Sequence, residues 1–163
     1  MKSSADRMRD LIDNLLMYSR TNTEEQVFEH VELKEVLENA MQELSLIIEE
    51  KNAIINYSSL PKLNLLNQQF QQLLVNLIGN SLKYAKQDVT PVIQIGSKIV
   101  KPKDVPGIVD GADKVFHRIT ISDNGIGFDQ KFANNIFVLF QRLHEQNEYS
   151  GTGIGLAICK KNY

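Results

Sequence analysis

Apolar positions recur every three to four residues over 3 to 20, where Met8, Leu11, Ile12, Leu15 and Leu16 form one stripe opposite Arg7, Arg9, Asp10, Asp13 and Asn14. That spacing predicts an amphipathic helix. TNTEEQ, residues 21 to 26, is polar and aperiodic and reads as a connector, which leaves the first helix outside the main domain with a stripe that needs a partner. The helical period returns over 33 to 50 through Leu33, Val36, Leu37, Ala40, Met41, Leu44, Ile47 and Ile48. AIINY, 53 to 57, reads as a strand and SSLPKL as a turn into a third helix over 67 to 85, with Phe70, Leu74, Leu77, Ser81 and Ala85 in period. VIQIGSKIV, 92 to 100, alternates and places Ile93, Ile95 and Ile99 on one side of a strand, and FHRITIS, 116 to 122, is the next strand. Between them runs a loop rich in proline, glycine and charge. A short helical stretch around ANNIFVLF and a last apolar run from Ile154 complete the order helix, helix, strand, helix, strand, strand, helix. An α/β two-layer sandwich, one sheet covered on one face by helices, accounts for that order.

Composition narrows the class without changing the fold. The 163 residues are 42% hydrophobic and 23% charged, as in an ordinary globular domain. A formal net charge of -2 gives no general attraction to nucleic acid or an anionic membrane, so no nucleic-acid partner is expected. Cys159 is the single cysteine and sits in an apolar run, which fits a reducing compartment and a core role. The N-terminus lacks the apolar core of a signal peptide and no window is apolar enough to span a bilayer, so the chain reads as cytoplasmic.

Three stretches carry candidate chemistry. On the third helix Gln69, Gln72, Asn76, Asn80 and Lys83 share the face opposite Phe70, Leu74, Leu77 and Ala85. A carboxamide oxygen can ligate a hard cation such as Mg²⁺, and a lysine supplies a point charge for phosphate; a solvated polar face is the default alternative. In ITISDNGIGF, 119 to 128, Ile119, Ile121 and Asp123 share one face of a strand, so the carboxylate should be buried at the end of an apolar row and need donors, such as the exocyclic amine of a purine. Gly125 and Gly127 would turn the chain sharply and leave room for a flat ring; a plain DNG turn explains Asn124 and Gly125 alone. Last, SGTGIGLAI places Gly151, Gly153 and Gly155 where a helix begins, the place at which backbone N–H groups receive phosphate.

Taken together and in order, these stretches resemble the motifs of sensor histidine kinases. NLIGNSLKYAK is similar to their N box, DNGIGF to the first glycine box, IFVLFQRLH to the F box and GTGIGLAICKK to the second glycine box, while SADRMRDLIDNLLMYSR resembles the second helix of the dimerisation and phosphoacceptor hairpin. The resemblance implies a mixed sheet covered by helices on one face, preceded by one long helix, with ATP and Mg²⁺ as cofactors. It implies that Asn80 ligates Mg²⁺ with Asn76 beside it, that Lys83 contacts phosphate and that Tyr84 flanks the nucleotide. Asp123 would accept from the adenine amino group, in a pocket shaped by Gly125 and Gly127. Residues 129 to 150 would form a mobile lid, anchored by Phe137 and Phe140 and carrying Arg142 to the terminal phosphate. Gly151, Thr152, Gly153, Gly155 and Leu156 would close around the phosphates.

The same resemblance divides the chain at 1–22, a partial hairpin helix, and 27–163, an ATP-binding catalytic domain. The phosphoacceptor box is missing: His30, His117 and His144 all lack its context. Asn67 stands where relatives often carry an acid, and the chain stops at ICKKNY where they continue into further strand, so the sheet is expected to lack an edge. The implied partners are the hairpin of the parent kinase and a response regulator receiver domain, with weak homodimerisation through the stripe of Leu11 and Leu15. Two other readings share the fold, a conformational ATPase and a non-catalytic nucleotide-binding module. The first needs a carboxylate to activate water, and here Gln72 and Asn76 stand nearby instead.

Overall fold

The computed structural model describes residues 27–102, 115–133, 135–138 and 156. The expected helix at 1–22 and its apolar stripe lie outside the described residues, as does most of the final helix.

Strand β1, Glu29–Glu32, leads directly into helix α1, Leu33–Glu43. Side-chain capping is absent at that junction, and the Leu33 N–H instead donates to the Pro61 carbonyl at 3.1 Å. The single helix expected over 33–50 is broken at Leu44, whose φ of -95° and ψ of 6° end α1 before the short helix α2, Ser45–Glu50. The break shifts the helical phase: Leu33, Val36, Leu37, Ala40 and Leu44 are buried, and Ile47 turns out to solvent. Strand β2, Ile54–Tyr57, strand β3, Lys62–Leu65, and helix α3, Asn67–Lys83, follow. Strands β4, Val92–Val100, and β5, Phe116–Asp123, come next, and a 3₁₀ turn spans Gln130–Phe132.

Among the described residues the strands form two sheets. β4 is central to a mixed sheet, parallel to β2 and antiparallel to β5. β1 and β3 form a separate antiparallel pair that periodicity does not predict. Each has four residues and, unlike Ile54–Tyr57, no apolar run to mark it, and their pairing is stitched across the chain by an ion pair between Lys62 Nζ and Glu32 Oε1 at 2.6 Å. The hydrogen bond and charge of Lys62 hold the Glu32 carboxyl below its usual range, and Glu32 in turn raises the Lys62 ammonium.

The core lies between the helices and one face of the mixed sheet. α1 packs on α3, and Leu37, Leu74, Ile78 and Leu82 meet Ile93 and Ile95 of β4, with Ile119 and Ile121 of β5 alongside. Phe70, Leu74 and Ser81 fall on the buried face as expected, whereas Ile78 and Leu82, and not Leu77 and Ala85, complete it. The alternation of β4 also holds at Ile93 and Ile95, but Ile99, on the same side, is 66% exposed. Among the described residues no helix is long and apolar enough to cross a membrane.

Candidate functional site

The C-terminus of α3 and the end of β5 meet edge to edge, and three short segments tie them together. Register places Asp123 opposite Ile93, at the end of the row Ile119, Ile121, Asp123 that faces the helices. Its Oδ2 accepts from Ser81 Oγ at 2.9 Å, and its Oδ1 accepts from the Gly125 N–H at 2.9 Å. Ser81 Oγ also lies 3.2 Å from the Leu77 carbonyl. A hydroxyl has one proton, and the shorter, charge-assisted contact to the carboxylate takes it.

Two expectations from the sequence are corrected here. Asp123 is exposed and not buried, and its donors come from the chain itself, so no ligand is needed to stabilise it. A carboxylate offers about four lone-pair sites, so the exposed carboxylate keeps capacity for a further donor. Gly125 leaves no vacant room for a ring: a Cβ there would lie 2.6 Å from the Tyr84 carbonyl oxygen and 2.8 Å from Asp123 Oδ1. Its role is the close approach of two backbones. Gly127 differs, with a φ of +64° and nothing within 4 Å of where a Cβ would stand, so its requirement is conformational.

The turn is fastened on both sides. Ile126 N–H donates to the Tyr84 carbonyl at 2.9 Å and so satisfies one of the carbonyls left open at the end of α3. Asn124 grips the start of β4: its Oδ1 accepts from Val92 N–H at 2.9 Å and its Nδ2 donates to the Thr90 carbonyl at 3.0 Å. Neither Ser81 nor Asn124 stands out as a site residue from sequence. Ser81 is legible only as a polar residue inside an apolar period, and Asn124 only as the middle of a turn.

On α3, Asn76 and Asn80 are half-buried and one turn apart. Gln72 Nε2 donates to Asn76 Oδ1 at 3.4 Å, and the Asn80 carbonyl accepts the Tyr84 N–H at 2.9 Å. Lys83 Nζ donates to the Tyr84 hydroxyl at 2.8 Å and lies 4.4 Å from the centre of its ring. The expected groups are therefore gathered at one end of the helix, with Lys83 drawn onto Tyr84. Mg²⁺ takes one or two oxygen ligands from protein and the rest from phosphate and water. The carboxamides of Asn76 and Asn80 fit such a donor set, and among the described residues no cluster of three or more His, Cys, Asp or Glu offers a competing cage.

Beyond the turn, Asp129 caps the 3₁₀ segment by accepting from the Lys131 N–H at 3.1 Å and pairs with Lys131 Nζ at 2.9 Å, which holds its carboxyl below the usual range. Phe137 and Leu156 are half-buried. Phe140, Arg142, Gly151, Thr152, Gly153 and Gly155 lie outside the described residues. His30 is exposed, His117 faces Ser97 Oγ at 3.4 Å, and His144 is outside the described residues.

Residues 66–163 match the family model described as histidine kinase-, DNA gyrase B- and HSP90-like ATPase. Over 154 residues the chain is 38% identical to cyanobacterial phytochrome A of Nostoc sp. and to phytochrome-like protein Cph1 of Synechocystis sp.; each match covers 94% of this chain. The chain spans about a fifth of those relatives, 18% and 19% of their lengths. Among solved structures it is similar to full-length ShkA in complex with AMPPNP, with a TM-score of 0.72 and 21% identity over 97% of this chain and 31% of that one. The catalytic domain of histidine kinase ThkA gives a TM-score of 0.61 and 22% identity over 83% of this chain and 78% of that one.

Proposed function

Because the chain belongs to the histidine kinase-, DNA gyrase B- and HSP90-like ATPase family, we propose that it is the ATP-binding catalytic part of a sensor histidine kinase. In this reading it donates the γ-phosphoryl group of ATP to a histidine outside the chain, for onward passage to a response regulator receiver domain. The observation that carries it is the Asp123 carboxylate, oriented by Ser81 and the Gly125 N–H beside the helix that bears Asn76, Asn80 and Lys83.

Each residue then has a part. Asp123 accepts from the adenine amino group through a lone pair that Ser81 and Gly125 leave open. Asn80, with Asn76 beside it, would hold Mg²⁺, whose chemistry is to neutralise phosphate charge. Lys83 leaves the Tyr84 hydroxyl for phosphate, and Tyr84 flanks the nucleotide. Arg142 and the segment of Gly151, Thr152, Gly153, Gly155 and Leu156 complete the phosphate end. In the transfer itself the bond from the γ-phosphorus to the bridging oxygen breaks, a bond to imidazole nitrogen forms, and ADP leaves. Positioning and charge stabilisation supply most of such catalysis.

The conformational-ATPase reading is weaker, because the polar face of α3 carries Gln72 and Asn76 where a general base would be required. Residues 1–22 fit the second helix of a dimerisation hairpin and 27–163 the catalytic domain, with a cytoplasmic location. The names of the 38% identical relatives favour a phytochrome-type sensory region elsewhere in a longer parent. Incubation with radiolabelled ATP, alone and with a complete acceptor hairpin, tests the activity. Acid-labile label on the hairpin alone is expected; label on His30, His117 or His144 would overturn the assignment of the acceptor to another segment.

A further inference from the structure

Helix α3 ends in two residues whose side chains meet although helical geometry separates them. Successive residues on a helix point about 100° apart and do not face each other. Lys83, the last residue of α3, nevertheless folds back over Tyr84, the C-cap that follows it. Its Nζ donates to the Tyr84 hydroxyl at 2.8 Å and stands 4.4 Å from the ring centre, so the ammonium meets both the oxygen and the ring of one neighbour.

Tyr84 is the fixed partner of the two. Its N–H donates to the Asn80 carbonyl at 2.9 Å, and its carbonyl accepts from the Ile126 N–H at 2.9 Å. The backbone is thereby pinned between α3 and the turn that carries Gly125, and the phenol ring has only two torsions of its own. Lys83 is half-buried and carries its charge on a flexible four-carbon stem, so it is the lysine that moves. A doubly charged phosphate oxygen group can draw it away from a neutral hydroxyl, whereas a nucleoside gives it no reason to leave.

We propose that the Tyr84 hydroxyl is a positioning group for Lys83 that sets the selectivity of the site. It competes with nucleotide phosphate for the ammonium and lowers the affinity for ATP, while the affinity for a nucleoside, which asks nothing of Lys83, is untouched. The proposal rests on the assignment of Lys83 to phosphate made above and adds the group that opposes it. Phenylalanine at this position keeps the ring, and with it the contact between cation and ring, but offers no oxygen. Tyr84→Phe therefore isolates the hydroxyl.

The test is calorimetric titration of the whole chain and of Tyr84→Phe with Mg-ATP and with adenosine. Tyr84→Phe should bind Mg-ATP about threefold more tightly or better, the size of a modest net hydrogen bond, and bind adenosine as the wild type does. A loosened fold would weaken both ligands, so the ratio of the two affinities reads the positioning role alone. Lys83→Met keeps a stem of similar length without the charge, and in that background Tyr84→Phe should change ATP affinity no further. ATP binding by Tyr84→Phe no tighter than by the wild type, an equal gain for adenosine, or a gain that survives Lys83→Met would overturn the proposal while leaving the nucleotide site in place. Absence of ATP binding by the folded wild-type chain would instead remove the nucleotide reading, and this proposal with it.

Discussion

At the end of β5, Asp123, Asn124 and Gly125 are bonded to three separate segments of the chain: Ser81 of α3, the Thr90–Val92 stretch that leads into β4, and the turn itself. On either side of Ser81 along α3, Asn76 and Lys83 bond to near neighbours in sequence, Gln72 and Tyr84. The first region presents its acceptor already oriented, and in the second Lys83 must exchange its partner before it can meet phosphate. The difference matches the chemistry proposed for each end. A base is read by one directional hydrogen bond, which gains from preorganisation, whereas phosphate and a metal ion can draw in long side chains by charge.

The sharpest way to break this contrast is Gly125→Ala. Its added methyl would lie 2.6 Å from the Tyr84 carbonyl oxygen, which is backbone and cannot swing aside. A loss of about 2 kcal/mol in stability is expected, as for overpacking elsewhere, with nucleotide binding lost alongside. Thermal melting and calorimetry together check it. Asp123→Asn should cost less in folding and much in affinity: a hydrogen bond to a charged group is worth about 1.5–3 kcal/mol, so adenine nucleotide should bind roughly tenfold more weakly. Unchanged affinity would move the base contact elsewhere.

The other end should respond differently. Asn80→Ala is expected to weaken the Mg²⁺-dependent part of binding and spare the part that persists in EDTA, since its proposed partner is the metal ion. Equal losses in both conditions would place Asn80 with the structural residues and erase the distinction.

The smallest effect lies away from the site, at the Glu32–Lys62 pair. The lowered carboxyl contributes stability above its unfolded value of about 4.3, lost as pH falls through its folded one. The raised ammonium contributes below about 10.4 and loses its contribution as pH rises through its folded value. Melting temperatures of wild type and Lys62→Gln should therefore differ slightly and evenly at intermediate pH and converge at both extremes. Both groups are exposed, so the difference should shrink with salt.

Much of this was legible in the sequence, and what was missed has a physical pattern. Periodicity located α3, β4 and β5, because each is long enough for a 3.6- or 2-residue repeat to show. It missed β1 and β3, whose four residues each gain strand structure from pairing about thirty residues apart. It also passed over the break at Leu44, which lies inside an unbroken apolar period. At the site, the residue types and spacing of Asn76, Asn80, Lys83 and Asp123 carried the chemistry. Ser81 as the partner of Asp123, and the steric reason for Gly125, depend on where α3 ends relative to β5, a tertiary fact that local pattern does not encode.

The central claim is that a chain-built seat holds Asp123 ready to accept from the 6-amino group of adenine. Calorimetric titration of the folded chain with Mg-ATP and then with Mg-ITP tests it most directly, because the two differ at that position, where an amine that donates is replaced by a carbonyl that accepts. The account predicts binding of ATP and at least about tenfold weaker binding of ITP. Equal affinities for the two would contradict it.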